Sequence, residues 1–252
     1  MDYKLYQGDC LDIMKDIPNN SIDMILCDLP YSTTCCKWDK LIPMDKLWKE
    51  YERIIKDNGA IVLFGQEPFS SHLRLSNEKM YKYDWKWIKS IPGNFLNCKN
   101  SPLKKYEDIM VFSKGTIANG SKRLMKYNPQ GIIEVNLERK NGNRDNKNFN
   151  GTIGNRPSRR GNYVQKYTNY PINILEYQNE TGLHPTQKPI ALLEYLIKTY
   201  TNENDIVLDN CMGSGGTGVA CIKTNRKFIG IELDENYFNV AKERIENIKG
   251  EI

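Results

Sequence analysis

The sequence predicts an α/β protein built on a doubly wound, mostly parallel sheet. Three observations carry that expectation: hydrophobic strands alternate with amphipathic helices, a glycine-rich turn follows one strand and opens a helix, and acids end several of the strands. The 252 residues suffice for one large domain, or for one domain that carries an insertion. With 39% hydrophobic and 27% charged residues, wholesale disorder is excluded.

Taken in order, "IDMILCD" (22–28) reads as a buried strand and "MDKLWKEYERIIKD" (44–57) as a helix, followed by the strand "GAIVLFG" (59–65). Two more strands are expected at "YDWKWIKS" (83–90) and "EDIMVFSK" (107–114). Further on, "PIALLEYLIKTYT" (189–201) places Leu193, Leu196, Ile197 and Tyr200 on one helical face, with Pro189 suited to the first turn. The strand "DIVLDN" (205–210), a helix from about Thr217, the strand "KFIGIEL" (227–233) and the helix "ENYFNVAKERIENI" (235–248) complete the pattern. No internal repeat is found. The start lacks a basic and then hydrophobic leader, and no apolar run approaches the roughly 18 residues of a membrane span, so a cytoplasmic protein without membrane association is expected.

The net charge of +5 is unevenly distributed. Between Lys114 and Tyr170 twelve Lys or Arg face three Asp or Glu, a local net of +9 that leaves −4 for the rest of the chain. This stretch is crowded with Asn and Gly, shows no helical or strand period, and reads as an irregular, loop-rich insertion with interleaved aromatics Tyr127, Phe149, Tyr163, Tyr167 and Tyr170. Solvated loop and nucleic-acid contact are both open readings; positive charge with stacking side chains suits a phosphate backbone and exposed bases. Lys122, Arg123, Arg156, Arg159 and Arg160 are the candidate DNA-binding residues. The seven cysteines are odd in number and contain no C-x-x-C pair, and His72 and His184 are the only histidines, so no metal site is expected. Cys35 and Cys36 read as packed thiols rather than a redox pair.

In "IVLDNCMGSGGTGVACI" the spacing Gly213-x-Gly215-x-x-Gly218 follows a strand and opens a helix, and Glu232 ends the next strand. Such glycines let the backbone approach a ligand, and the acid can accept hydrogen bonds from two ribose hydroxyls. An adenosine cofactor is therefore implied. Asp209, ending the first strand, would repel the pyrophosphate of a dinucleotide but attract the ammonium and sulfonium of S-adenosylmethionine. The competing reading takes the glycines as a tight turn and Asp209 as its cap, which leaves Glu232 without a role. Asp28, Leu29, Pro30 and Tyr31 end a strand on the same side of such a sheet. Asp28 and the Leu29 carbonyl can accept the two N–H bonds of an exocyclic amino group and favour the positive charge that grows as it attacks a methyl group. Pro30 restrains the chain, and Tyr31 offers a face to a flipped base. An ordinary strand-ending turn is the alternative.

"DLPY" with "KWD" (37–39), "GDC" (8–10), "HPTQKP" (184–189), the glycine loop "LDNCMGSGGTG" and the acid in "GIELDENYF" together resemble a beta-class DNA amino-methyltransferase, over nearly all of residues 4–246 outside the insertion. The resemblance implies a Rossmann-like methyltransferase sheet with a catalytic half over 1–113, a target-recognition insertion over 114–180 and a cofactor-binding half over 181–252. It places Asp9 and Cys10 along the cofactor's adenine, Glu232 on its ribose, and Thr186 and Lys188 near its methionine end, with His184 in the same motif. Gly213, Ser214, Gly215, Thr217, Asp28 and Asp209 complete the expected cofactor contacts. The family commonly has Pro at position 29 and Thr at position 216, where this chain has Leu29 and Gly216.

The expected activity is methyl transfer from S-adenosylmethionine to the 6-amino group of adenine at specific sites in double-stranded DNA, by a monomer or homodimer. A leading Asp in the strand-tip motif resembles the adenine enzymes. Methylation of the cytosine 4-amino group, of RNA or of a protein glutamine amide, and a silent DNA-binding protein with this fold, are the alternatives.

Overall fold

The computed structural model describes residues 2–31, 41–140, 162–180 and 187–251. They form two compact units, one of residues 1–128 with 173–252 and a smaller one of residues 129–172.

The larger unit contains, in chain order, β1 (Tyr3–Gln7), α1 (Cys10–Ile13), β2 (Ile22–Cys27), α2 (Met44–Ile54), β3 (Ile55–Gly65), α3 (Phe69–Ser76), β4 (Tyr81–Gly93) and β5 (Lys104–Phe112). The smaller unit holds β6 (Ile133–Lys140) and β7 (Asn162–Thr168). The chain then returns to the larger unit with β8 (Ile174–Tyr177), α4 (Ile190–Tyr200), β9 (Ile206–Asp209), α5 (Gly216–Lys223), β10 (Lys227–Glu232) and α6 (Glu235–Glu251).

The sheet order is β1-β10-β9-β2-β3-β5-β4-β8. All neighbours are parallel except that β5 runs antiparallel to both β3 and β4. This is the mostly parallel, doubly wound sheet the alternation of elements predicts. Both faces are buried, which is why β2 reads as a continuous apolar run. Met24 and Leu26 pack with Leu193 and Leu196 of α4, Val219 of α5 and Ile245 of α6. Ile25 and Cys27, pointing the other way, pack with Met14 just after α1, with Leu47 and Tyr51 of α2, and with Leu73 of α3. Among the described residues no helix is long and apolar enough to cross a membrane.

Several boundaries differ from expectation. The helix predicted to reach residue 57 stops at Ile54, because Ile55 already pairs with Ile22; the ladder then skips to Met24 opposite Ala60, leaving 56–59 as a bulge. Residues 114–128 are no part of the smaller unit. Met125 is buried in the main core, Lys126 Nζ pairs with Asp205 Oδ2 at 2.5 Å, and its N–H donates to the Asn58 carbonyl. The smaller unit is not irregular throughout, as the composition suggested. Its β6 and β7 form an antiparallel ribbon, whose register shifts between Glu134 and Leu137, where Asn136 has φ 48°.

Candidate active site

The strand order reverses its direction of winding between β9 and β2, and there the carboxyl ends of the parallel strands open a cavity of about 640 Å³. Asp28 follows the last residue of β2, Asp209 ends β9, Glu232 ends β10, and Asp9 lies just beyond β1. All four line the cavity, together with Cys10, Leu29, Pro30, Tyr31, Lys188, Gly213, Ser214 and Thr217. The chemistry expected of the two ends of the sequence is thus brought together by the pairing of β9 with β2, in which Met24 faces Val207 and Ile25 faces Leu208.

At the tip of β2 the Tyr31 hydroxyl donates to Asp28 Oδ1. The Tyr31 ring packs on Phe69 at 4.7 Å between centroids, tilted by 30°. Burial, and then the Asp28 charge, push the Tyr31 hydroxyl well above the usual tyrosine pKa, so it acts as a donor. Lys188 Nζ donates to Asp28 Oδ2 at 2.5 Å. Each carboxylate oxygen keeps a further lone pair, so Asp28 is oriented from two sides and can still accept an incoming N–H.

Lys188 is 8% exposed and sits between two acids, Asp28 and Glu107, whose Oε2 lies 3.3 Å from its Nζ. Burial works against the ammonium, but these carboxylates outweigh it and hold Lys188 above the usual lysine value. Glu107, on β5, is buried; that alone would raise its pKa, yet Lys188 and Lys89 hold it below the usual range. Lys89 Nζ donates to Glu107 Oε1 at 2.9 Å, and Gln66 Nε2 donates to the same oxygen at 3.1 Å. The family resemblance set Lys188 near the methionine end of the cofactor; here it pairs with the catalytic-motif acid.

On the other side of the switch point the lining suits a cationic nucleoside. Among the described residues the cavity presents Asp9, Asp28, Glu107, Glu180, Asp209 and Glu232 against Lys89 and Lys188, and both lysines are engaged by Asp28 and Glu107. A pyrophosphate would meet uncompensated carboxylates. Glu232 accepts the Gly213 N–H on Oε2 at 2.8 Å and the Asp234 N–H on Oε1 at 2.9 Å, and each oxygen retains a lone pair for a ribose hydroxyl. Burial raises the Glu232 pKa despite these N–H groups. The side chain of Leu233 is 59% exposed at the cavity rim and offers an apolar wall for an adenine ring. Gln187 Oε1, in the same lining, is buried with no hydrogen-bond partner among the described residues and can accept from an ammonium.

The glycine loop divides its duties. Gly213 (φ 52°) lines the cavity, whereas Gly215 (φ 78°) does not; a Cβ there would lie 2.9 Å from Ala241 Cβ, so this glycine serves the packing of α5 on α6. Asp209 is placed for both duties. It anchors the turn, accepting from the Cys211 N–H at 3.1 Å and the Thr217 hydroxyl at 2.7 Å, and it also faces the cavity.

Burial pushes the Asp209 carboxyl up to about 7. A cationic ligand favours its ionised form, so binding of such a cofactor releases a proton, and affinity falls below pH 7 by up to about tenfold per pH unit. Calorimetry with S-adenosylmethionine between pH 6 and 8, in buffers of different ionisation enthalpy, should show this proton release for the native protein and lose it in Asp209→Asn.

The remaining expected residues distribute as follows. Asp9 caps α1 through the Leu11 N–H at 2.8 Å while lining the cavity. Lys122 and Arg123 lie in the 114–128 segment, which packs beside Asn58, Asp23 and Asp205 at the opposite end of the sheet, so the structure does not bring them to the site. His184, Thr186, Arg156, Arg159, Arg160 and the "KWD" stretch with Cys35 and Cys36 lie outside the described residues. Among the described residues no group of acids, cysteines and histidines is arranged to hold a metal ion. Glu107, Lys89, Gln66, Gln187 and Trp87 line the cavity without having been expected.

A doubly wound sheet whose switch-point crevice joins an Asp-Leu-Pro-Tyr strand tip to an acid-lined nucleoside pocket defines a Rossmann-like group-transfer enzyme. Residues 22–243 match the family model described as DNA methylase, of the N6 and N4 amino-methyltransferases, and the chain belongs to that family. It is 28% identical over 258 residues to the Type II methyltransferase M.HpaI of Haemophilus parainfluenzae, with 98% of this chain and 75% of that protein covered. It is likewise 28% identical over 255 residues to the DNA adenine methyltransferase YhdJ of Escherichia coli (strain K12), covering 96% and 82%. Among solved structures, the M1.HpyAVI–SAM complex aligns with a TM-score of 0.61 at 26% identity, over 96% of this chain and 99% of that one. The cytosine-N4-specific PvuII DNA methyltransferase shares the fold, with a TM-score of 0.66 at 17% identity over 99% and 92%.

Proposed function

We propose that this protein transfers a methyl group from S-adenosylmethionine to the 6-amino group of adenine at specific sites in double-stranded DNA, in the cytoplasm, as a monomer or homodimer. One observation carries the reading: Asp28, oriented by Tyr31 and Lys188, opens onto the same cavity as Glu232 and Asp209. When bound, the cofactor supplies an electrophilic methyl group on a sulfonium. Glu232 binds the ribose, Gly213 gives the backbone its close approach, and Asp209 with Gln187 receives the positive end. Asp28 and the Leu29 carbonyl accept the two amino N–H bonds of the extruded base. They draw the nitrogen lone pair out of conjugation with the ring and stabilise the charge that forms on it. The Tyr31 face opposite Phe69 stacks on the base, and Leu29, 3% exposed, fills the wall behind it.

We assign target recognition to the insertion, which includes the β6–β7 ribbon, with Arg156, Arg159 and Arg160 as candidate DNA contacts. By analogy with the type II relatives, a restriction-modification role follows. The test is methyl transfer from labelled cofactor to unmodified duplex DNA, RNA and protein, followed by identification of the modified base. N6-methyladenine in duplex DNA is expected. N4-methylcytosine, or transfer only to RNA or protein, would overturn the assignment, and binding of NAD in place of S-adenosylhomocysteine would overturn the cofactor.

A further inference from the structure

The loop between β4 and β5 stands at the cavity end of the sheet. β5 runs antiparallel to β3 with Asp108 opposite Gly65, and Gly93 at the end of β4 lies opposite Lys104. Two apolar residues occupy its tip: Phe95 is 57% exposed and Leu96 fully exposed. The tip is not a loose excursion. Asn94 adopts φ 71° and opens a short 3-10 turn over Phe95–Asn97. Asn94 Nδ2 donates to Ser101 Oγ at 3.0 Å, Asn97 Nδ2 donates to Asn94 Oδ1 at 2.8 Å, and the Ser101 N–H donates to the Asn97 carbonyl at 2.9 Å. At its base Asn179, which lines the cavity, accepts from the Ile91 N–H and the Ser90 hydroxyl. From Ser90 to Tyr106 the sequence contains Lys99, Lys104 and Lys105 and no acid.

Single exposed leucines are ordinary. An exposed apolar pair held in an internally bonded loop, with lysines close by in the sequence and at the cavity end of the sheet, has a specific use. We propose that Phe95 and Leu96 form a wedge that enters the DNA base stack next to the target as the base leaves it, with Lys99, Lys104 and Lys105 on the flanking phosphates. The inference rests on the DNA-methylation reading above. Extrusion removes stacking partners from the neighbouring bases, and an apolar side chain inserted there restores contact area. The lysines supply the sequence-independent attraction that brings the tip to the duplex.

The test is the double variant Phe95→Ser/Leu96→Ser, which removes only exposed apolar surface. S-adenosylhomocysteine affinity should stay within about twofold, while kcat/KM on a duplex with the paired target should fall about 10- to 100-fold. A duplex with the target base mispaired, which is already partly unstacked, should recover most of that loss, and 2-aminopurine at the target should brighten less with the variant than with the native enzyme. Unchanged methylation of the paired duplex, or an equal loss on paired and mispaired duplexes, would overturn the wedge. So would a loss accompanied by a change from dimer to monomer in sedimentation, which would give the tip to a second copy of the chain. Failure of the native enzyme to methylate any duplex would instead mark the functional reading as wrong, a result visible before the variants are compared.

Discussion

Asp28→Ala is expected to lower the rate of methyl transfer by about 10²- to 10³-fold while leaving S-adenosylhomocysteine binding measurable, the scale seen when one preorganised group facing a developing charge is removed. The Asp28 carboxylate is fixed by the Tyr31 hydroxyl and by Lys188 before any substrate arrives, so no reorganisation accompanies the growth of charge on the amino nitrogen. Its loss also leaves the fold intact. Lys188 retains Glu107 at 3.3 Å, so the ammonium is not stranded in the interior. Rapid-quench measurement of the first turnover separates this loss of chemistry from slow product release. Native single-turnover rates in the variant would remove Asp28 from the mechanism.

Lys188→Met should act on stability as well as on rate. It removes the ammonium that pairs with both Asp28 and Glu107, leaving Lys89 as the compensating cation among the described residues, and breaking a buried pair from one side typically costs about 3–5 kcal/mol. For a chain of this size that corresponds to a fall in Tm on the order of 10 °C. The pH dependence follows from Glu107, whose pKa the lysines hold below the usual carboxylate range. That contribution is present in the native protein above the ordinary carboxylate pKa and is lost as pH falls through the lowered value. The Tm gap between native and variant proteins should therefore be widest near pH 7 and narrow towards pH 4. A combined Lys188→Met/Glu107→Leu variant should regain part of the stability but not the activity. A gap independent of pH would show that Lys188 acts by packing alone.

The sheet was legible wherever strands are buried on both faces, as at 22–28 and 59–65, and where a helix carries one apolar stripe, as in α4. Elements at the margins were not. β1 ("YKLYQ") is an edge strand whose residues are half-buried or exposed, and β8 is only four residues long. α3 begins after Pro68 with two serines and a histidine, a composition that reads as loop. The acids at the ends of parallel strands were found because their polarity is tied to strand direction. Glu107 was missed for the same reason, since it lies near the start of a strand. Only because β5 is antiparallel does that start fall at the cavity end, beside Lys89 of β4. The signal was present in "YEDIMVF", an acid pair entering an apolar strand, but its meaning depends on register.

The ladder between β2 and β9 extends only over Met24–Val207 and Ile25–Leu208, whereas the other side of β2 stays paired with β3 as far as Cys27 and Leu63. From Leu26 onward, one flank of β2 is therefore released from the sheet, and the chain enters the crevice as a frayed edge. A main chain that has left its partner has carbonyl and amide groups to spend on other molecules, and the role proposed for the carbonyl of residue 29 draws on that freedom. The side chain at that position packs with Ile25 and Cys27 while forming part of the cavity wall. On the proposed mechanism leucine and proline have the same duty there: the work falls to the path of the backbone, and the residue identity only has to keep that path filled and dry.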